Sequence, residues 1–77
     1  MVSEQVEEGL TKKYEYDGSG FLLYQGWARP GVGVTAARWR IAKYTTNGSG
    51  QITDTQWPSA SKDFAFTWND RATYTYT

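Results

Sequence analysis

The chain has 77 residues with eight basic and eight acidic side chains, no Cys and no His, but four Trp, six Tyr and three Phe. That length bounds it to one domain. The missing thiols and imidazoles exclude disulfides, zinc fingers and Fe–S clusters, leaving aromatic burial, self-association or docking on a larger partner to offset the entropy of ordering so short a chain.

No apolar run reaches signal-peptide or transmembrane length, so the chain reads as a soluble product of the cytoplasm with no membrane contact. Charge is unevenly placed: residues 1–17 carry a net −3 and residues 18–77 a net +3. This is the pattern of an acidic tail beside a mildly basic body. The tail is either solvated or laid on a basic face, its own or a neighbour's.

Residues 1–13 lack strand alternation. Val2, Val6 and Leu10 recur every fourth residue, so the segment reads as an arm, a short helix or an extended strand ordered by what it touches. Asp17-Gly18-Ser19-Gly20 is a turn or hinge, which divides the chain into an arm and hinge (1–20) and a β domain (21–77).

Phe21 to Ala28 reads as a strand with apolar residues on both faces, as expected if both are covered. Arg29-Pro30-Gly31-Val32-Gly33 breaks it and predicts a protruding loop to Thr35. This run lacks the spacing of a phosphate-binding loop. In the next strand, Ala37 to Thr45, Trp39 and Ile41 point one way and Arg38, Arg40 and Tyr44 the other.

Thr46-Asn47-Gly48-Ser49-Gly50 is a hairpin turn, with Asn-Gly expected to supply positive φ values. Gln51 to Trp57 returns antiparallel, and a loop follows at Pro58–Ser61. Asp63 to Trp68 alternates, with Phe64, Phe66 and Trp68 on one face. Asn69-Asp70 begins a tight turn into a closing strand of alternating Thr and Tyr, Ala72 to Thr77, which is either an edge or a pairing surface. No internal repeat stands out. The expectation is an all-β fold: a small sandwich or open barrel of four to five mostly antiparallel strands with an N-terminal arm.

Catalytic chemistry is poorly provided for. Acid–base work at neutral pH calls for His or a shifted carboxylate, and Asp54, Asp63 and Asp70 read as turn residues that satisfy backbone N–H groups. The Ser residues have no His partner. The residues point to a chain that is not an enzyme, uses no cofactor or metal, and works by binding. Arg38, Arg40 and Tyr44 form one candidate contact face. The Trp set forms another. Two or three of the four are expected in the core, and Trp57 is the one expected to be partly exposed, where it could stack on a sugar. The arm positions Val2, Val6 and Leu10 and the closing-strand Tyr74 and Tyr76 complete the candidate protein-contact residues. Zero net charge disfavours nucleic acid.

The pattern Gly26-Trp27-Ala28-x-Pro30-Gly31, Trp39-Arg40-Ile41-x-x-Tyr44, Gly50-x-Ile52-Thr53, Trp57 and Phe64-x-x-x-Trp68-Asn69-Asp70-Arg71-Ala72-x-Tyr74-x-Tyr76 resembles a group of very short proteins encoded among the structural genes of tailed bacteriophages. It spans about residues 24–76, with Asn69 where the group more usually has Asp, and residues 1–20 lie outside it. The resemblance implies a virion component, present in several copies and contacting other virion proteins, without specifying capsid, neck or tail. A glycan-binding module of a host-adsorption apparatus is the alternative. Within Trp68-Asn69-Asp70-Arg71 a structural role is expected, with Asp70 capping a turn and Arg71 bonding it or a carbonyl.

Overall fold

The computed structural model describes residues 9–77, so the arm positions Val2 and Val6 lie outside the described residues. The fold is all-β and mostly antiparallel, as expected. Strands β1 (Thr11–Tyr16), β2 (Leu22–Ala28), β3 (Ala37–Thr46) and β4 (Ile52–Gln56) form a meander in the order β1-β2-β3-β4. A two-residue strand β5 (Phe66–Thr67) pairs with the start of β3, and a 3-10 helix (Trp68–Thr73) follows it.

Residues 11–20, read from sequence as the end of an arm and a hinge, belong to the sheet. Thr11–Tyr16 pairs with β2 along its whole length. Its side chains are nearly all exposed, and an edge strand that buries little shows no apolar alternation to read. The supposed hinge is the β1–β2 hairpin turn. Gly20 N–H bonds Asp17 O at 2.9 Å, Asp17 N–H bonds Phe21 O at 2.8 Å, and Asp17 Oδ1 accepts from Ser19 N–H and Phe21 N–H.

The β3–β4 turn repeats this arrangement. Gly50 N–H bonds Asn47 O, Asn47 N–H bonds Gln51 O, and Asn47 Oδ1 accepts from Ser49 N–H and Gln51 N–H. The expected positive φ at Asn47-Gly48 is absent. The left-handed residue is Gly20 in one turn and Gly50 in the other, each at φ 83°, so Asp17 and Asn47 act through their side chains and the second glycine takes the strained position.

The two hairpins are an internal repeat that the sequence reading missed. Lys13-Tyr14, Gly18-Ser19-Gly20 and Trp27 recur thirty residues on as Lys43-Tyr44, Gly48-Ser49-Gly50 and Trp57. The strand register recurs with them. Glu15 faces Tyr24 and Tyr14 faces Gln25, as Thr45 faces Asp54 and Tyr44 faces Thr55, and the register slips by one residue at Glu15/Tyr16 and again at Thr45/Thr46.

The core lies on one face of the meander. Tyr24, Ala28, Trp39, Ile41 and Trp68 are buried there, with Leu23, Val32, Val34, Phe66, Tyr74 and Tyr76 packed against them. Ring pairs Trp39–Trp68 (5.9 Å), Tyr24–Tyr76 (5.7 Å) and Phe66–Tyr74 (5.2 Å, edge-on) join the sheet to the C-terminal segment. Gly26 makes this possible, because a Cβ there would stand 2.6 Å from Trp68 Cε3.

Several expectations about the second half are corrected. The alternating strand at 63–68 shrinks to Phe66–Thr67, and Phe64 turns away from the core and is exposed. The closing strand at 72–77 does not form: its first two residues end the 3-10 helix, and beyond them Tyr76 makes an isolated bridge. What remains pairs with the chain after β4, through a Pro58–Tyr76 bridge and reciprocal Trp57–Thr77 bonds. Thr and Tyr alternation therefore marks a segment whose phenols turn inward, not a free edge. Tyr74 Oη accepts from Thr67 N–H, and Tyr76 Oη donates to Arg71 O at 2.7 Å.

The loop after β2 is tied down. Gly33 O accepts from Trp39 Nε1 at 3.0 Å and Val34 O from Asn69 N–H. Asp54 lies inside β4, not in a turn. Arg71 bonds the Trp68 carbonyl, as expected, but its ion pair is with Glu15 at 2.6 Å and not with Asp70.

Gly26→Ala should destabilise the fold by about 1–3 kcal/mol, the cost typical of overpacking a filled core, as a lower denaturant midpoint. Tyr76 gives a second expectation. Burial, reinforced by Tyr24 and Tyr74, holds its phenol well above the usual range, against an opposing pull from Arg71. The folded state thus favours the neutral phenol. Its contribution is fully present below the unfolded value of about 10 and is lost as pH rises beyond it. Tyr76→Phe should cost about 1 kcal/mol at pH 7 through the lost hydrogen bond and reduce the alkaline loss of stability, measured by urea unfolding at pH 7 and 10.5.

Candidate functional site

Strand alternation sends Trp27 and Arg40, which are cross-strand partners, to the face opposite the core. There the Arg40 guanidinium lies 4.5 Å from the Trp27 ring centroid and 5.0 Å from that of Phe64. Trp27 stacks on Trp57 at 6.1 Å with 30° between the planes, and Lys62 Nζ sits 5.7 Å from Trp57. The result is a ladder of alternating character, Phe64–Arg40–Trp27–Trp57–Lys62. Arginine suits its middle position because a planar guanidinium can face two rings at once.

Beside the ladder, Tyr44 Oη donates to Gln25 Oε1 at 2.8 Å. Burial and the neighbouring Tyr14 raise its phenol above the usual range, with Arg40 pulling the other way. Beyond Phe64 a cleft of about 430 Å3 is lined by Leu10, Arg29, Val32, Arg38 and Phe64. Its walls are apolar and its charges are two exposed guanidinium groups.

The structure thus divides the sequence-derived candidates. Arg40 and Trp57 are brought together by Trp27, Arg38 and Leu10 meet in the cleft, and Tyr44 stands at the ladder's flank. Trp57 is half-buried, stacked on Trp27 and met by Lys62. Tyr74 and Tyr76 belong to the opposite face, packed against the core. Trp27, Arg29, Lys62 and Phe64 were not singled out. The thirty-residue repeat pairs Trp27 with Trp57 and was the available signal for one of them. The other three come from loops whose approach to the sheet no local pattern encodes.

Two carboxylates among the described residues are engaged elsewhere. Glu15 is paired with Arg71 and Asp17 holds its turn. Among the described residues no group of three or more His, Cys, Asp or Glu could hold a metal ion, and no helix is long and apolar enough to cross a membrane. The chain matches no protein-family model, no curated protein and no solved structure.

Arg40→Ala should lower stability by about 1 kcal/mol, as expected for a partly exposed cation against rings, and Arg40→Lys should recover less than half of that. Chemical unfolding of the two variants beside the parent measures both.

Proposed function

We propose that the chain is a non-enzymatic structural or assembly protein of a tailed-bacteriophage virion, present in several copies and working through protein–protein contacts. The observation that carries this reading is the cation–aromatic ladder with its adjoining Arg29/Arg38 cleft. Side chains that stack on one another are held rigid before a partner arrives, and aromatic and Arg anchors of this kind dominate protein interfaces. The cleft fits an acidic segment with apolar anchors, and the sequence preceding Leu10 has that composition: Val2, Glu4, Val6, Glu7 and Glu8. The Trp-Arg-Ile and Trp-Asn-Asp-Arg-Ala patterns, with their resemblance to small phage virion proteins, supply the setting.

The glycan-binding alternative depends on Trp57. Its contacts with Trp27 and Lys62 leave less ring face open for a sugar than an isolated surface Trp would offer. Trp fluorescence should stay flat across a panel of oligosaccharides, whereas saturable quenching would favour the alternative.

A chain lacking residues 2–8 keeps every described strand. It should retain the parent's circular dichroism and unfold at the same temperature within about 2 °C, the scale of a surface change within 0.5 kcal/mol. It should lose incorporation into particles assembled in infected cells, read by native mass and immunoblotting of purified particles. Undiminished incorporation would count against a contact role for the arm.

A further inference from the structure

The meander has two edges among the described residues: β1 pairs with β2 alone, and β4 with β3 alone as far as Gln56, beyond which Trp57 is bonded to Thr77. Three of the four exposed large hydrophobic side chains, Tyr14, Tyr16 and Ile52, lie on these two strands. Edges of this kind are templates for further pairing unless charge or cover blocks them.

The internal repeat states what register such pairing would take. Within the chain the first hairpin meets the second through β2 and β3, where Tyr24, Gln25 and Gly26 face Lys43, Ala42 and Ile41. The repeat carries β2 positions 24–26 onto β4 positions 54–56, and β3 positions 41–43 onto β1 positions 11–13. A second molecule following β4 as the second hairpin follows the first would therefore set Asp54, Thr55 and Gln56 opposite Lys13, Lys12 and Thr11. We propose that the chain associates head to tail with copies of itself in this register, β4 of one molecule beside β1 of the next, with Asp54 facing the partner's Lys13.

Charge selects this arrangement over its competitors. An antiparallel β1–β1 pair centred on Lys12 and Lys13 would crowd them against their copies, and a β4–β4 pair centred on Asp54 would oppose two carboxylates. Like charges directly opposite are destabilising and opposite ones stabilising. The same register places Tyr14 against Thr53, an aromatic–β-branched pair.

The turns agree. A Cβ at Gly50 would meet the Phe21 ring of the preceding hairpin at 2.9 Å, whereas the equivalent Gly20, at the same φ, has nothing within 4 Å of that position. Gln51 occupies in the second hairpin the place of Phe21 in the first, so the seat at Gly20 is left for Gln51 of the preceding molecule. Such a heterologous contact closes into a ring or extends as a filament. The inference rests on the assembly reading for its biological setting only. It is tested on the isolated chain in solution, apart from particles, so the two can fail separately.

The test is sedimentation velocity of the full chain across a wide concentration range, with near-ultraviolet circular dichroism as a check of fold. The parent should associate. Lys13→Glu and Asp54→Lys each place like charges across the contact and should weaken association about tenfold, the upper end for a cross-strand charge reversal. The double variant restores an opposite-charge pair and should associate as the parent does. An equimolar mixture of the two single variants should do the same, because each then meets a complementary edge. A parent that stays monomeric at every concentration, single variants that associate unchanged, or a double variant no better than either single would each overturn the proposal.

Discussion

The indole of Trp68 lies where a side chain at position 26 would otherwise stand, against Gly26 and beside Trp39. Much of the fold follows from this contact. A four-stranded meander leaves one face bare, and the described residues form no second sheet of comparable size to cover it. Trp68 begins the 3-10 helix and brings the C-terminal segment back across that face. Tyr74 and Tyr76 then reach the core, and the two phenol oxygens find backbone partners that offset the cost of burying them. Arg71 holds the arrangement from outside, resting 4.4 Å from the Trp68 ring centroid, bonding the Trp68 carbonyl and reaching Glu15 on β1. One side chain thereby links the closing helix to the far edge of the sheet.

The duplicated hairpin explains how so short a chain obtains a regular sheet. Two copies of one turn, each closed by an Asp or Asn side chain and a left-handed glycine, set two identical registers without help from the core. The copies differ where their surroundings differ. Tyr14, on the edge, is exposed, while Tyr44, on the central strand, is half-buried and bonded to Gln25. Position 26 is a glycine because Trp68 lies over it, whereas its counterpart in the repeat is Gln56. Burial, not local geometry, is what separated the two hairpins.

The two faces of the sheet are built on different chemistry. The covered face is mainly apolar and aromatic, with Lys43 beside the Tyr76 ring and Arg71 beside the Trp68 ring. The opposite face interleaves the same kinds of rings with Arg40, Lys62 and the cleft arginines. Rings stacked on cations can remain partly exposed without a large apolar patch, which suits the contact role proposed for this face. The strand edges are the separate means of contact proposed for self-association, through backbone pairing whose partner choice would lie in a few charges.

The sequence by itself determined the all-β class, the central strand with Trp39 and Ile41 on one face and Arg38, Arg40 and Tyr44 on the other, and the turns at 17–20, 29–33, 46–50 and 58–61. It also contained the hairpin repeat in plain view, at Lys13-Tyr14 and Lys43-Tyr44. These are local properties, set by alternation and turn chemistry within a few residues. Strand β1 was illegible because an edge strand with little burial carries no apolar period. The fate of Phe64, Tyr74 and Tyr76 was illegible for a related reason: alternation tells which residues share a face but not which face meets the core. Only the tertiary structure decided that the Thr–Tyr segment folds inward, that Arg71 pairs with Glu15 across the chain, and that Arg40 bridges Trp27 and Phe64. Each depends on packing between segments distant in sequence, where shape and burial choose among contacts that local pattern leaves equally available.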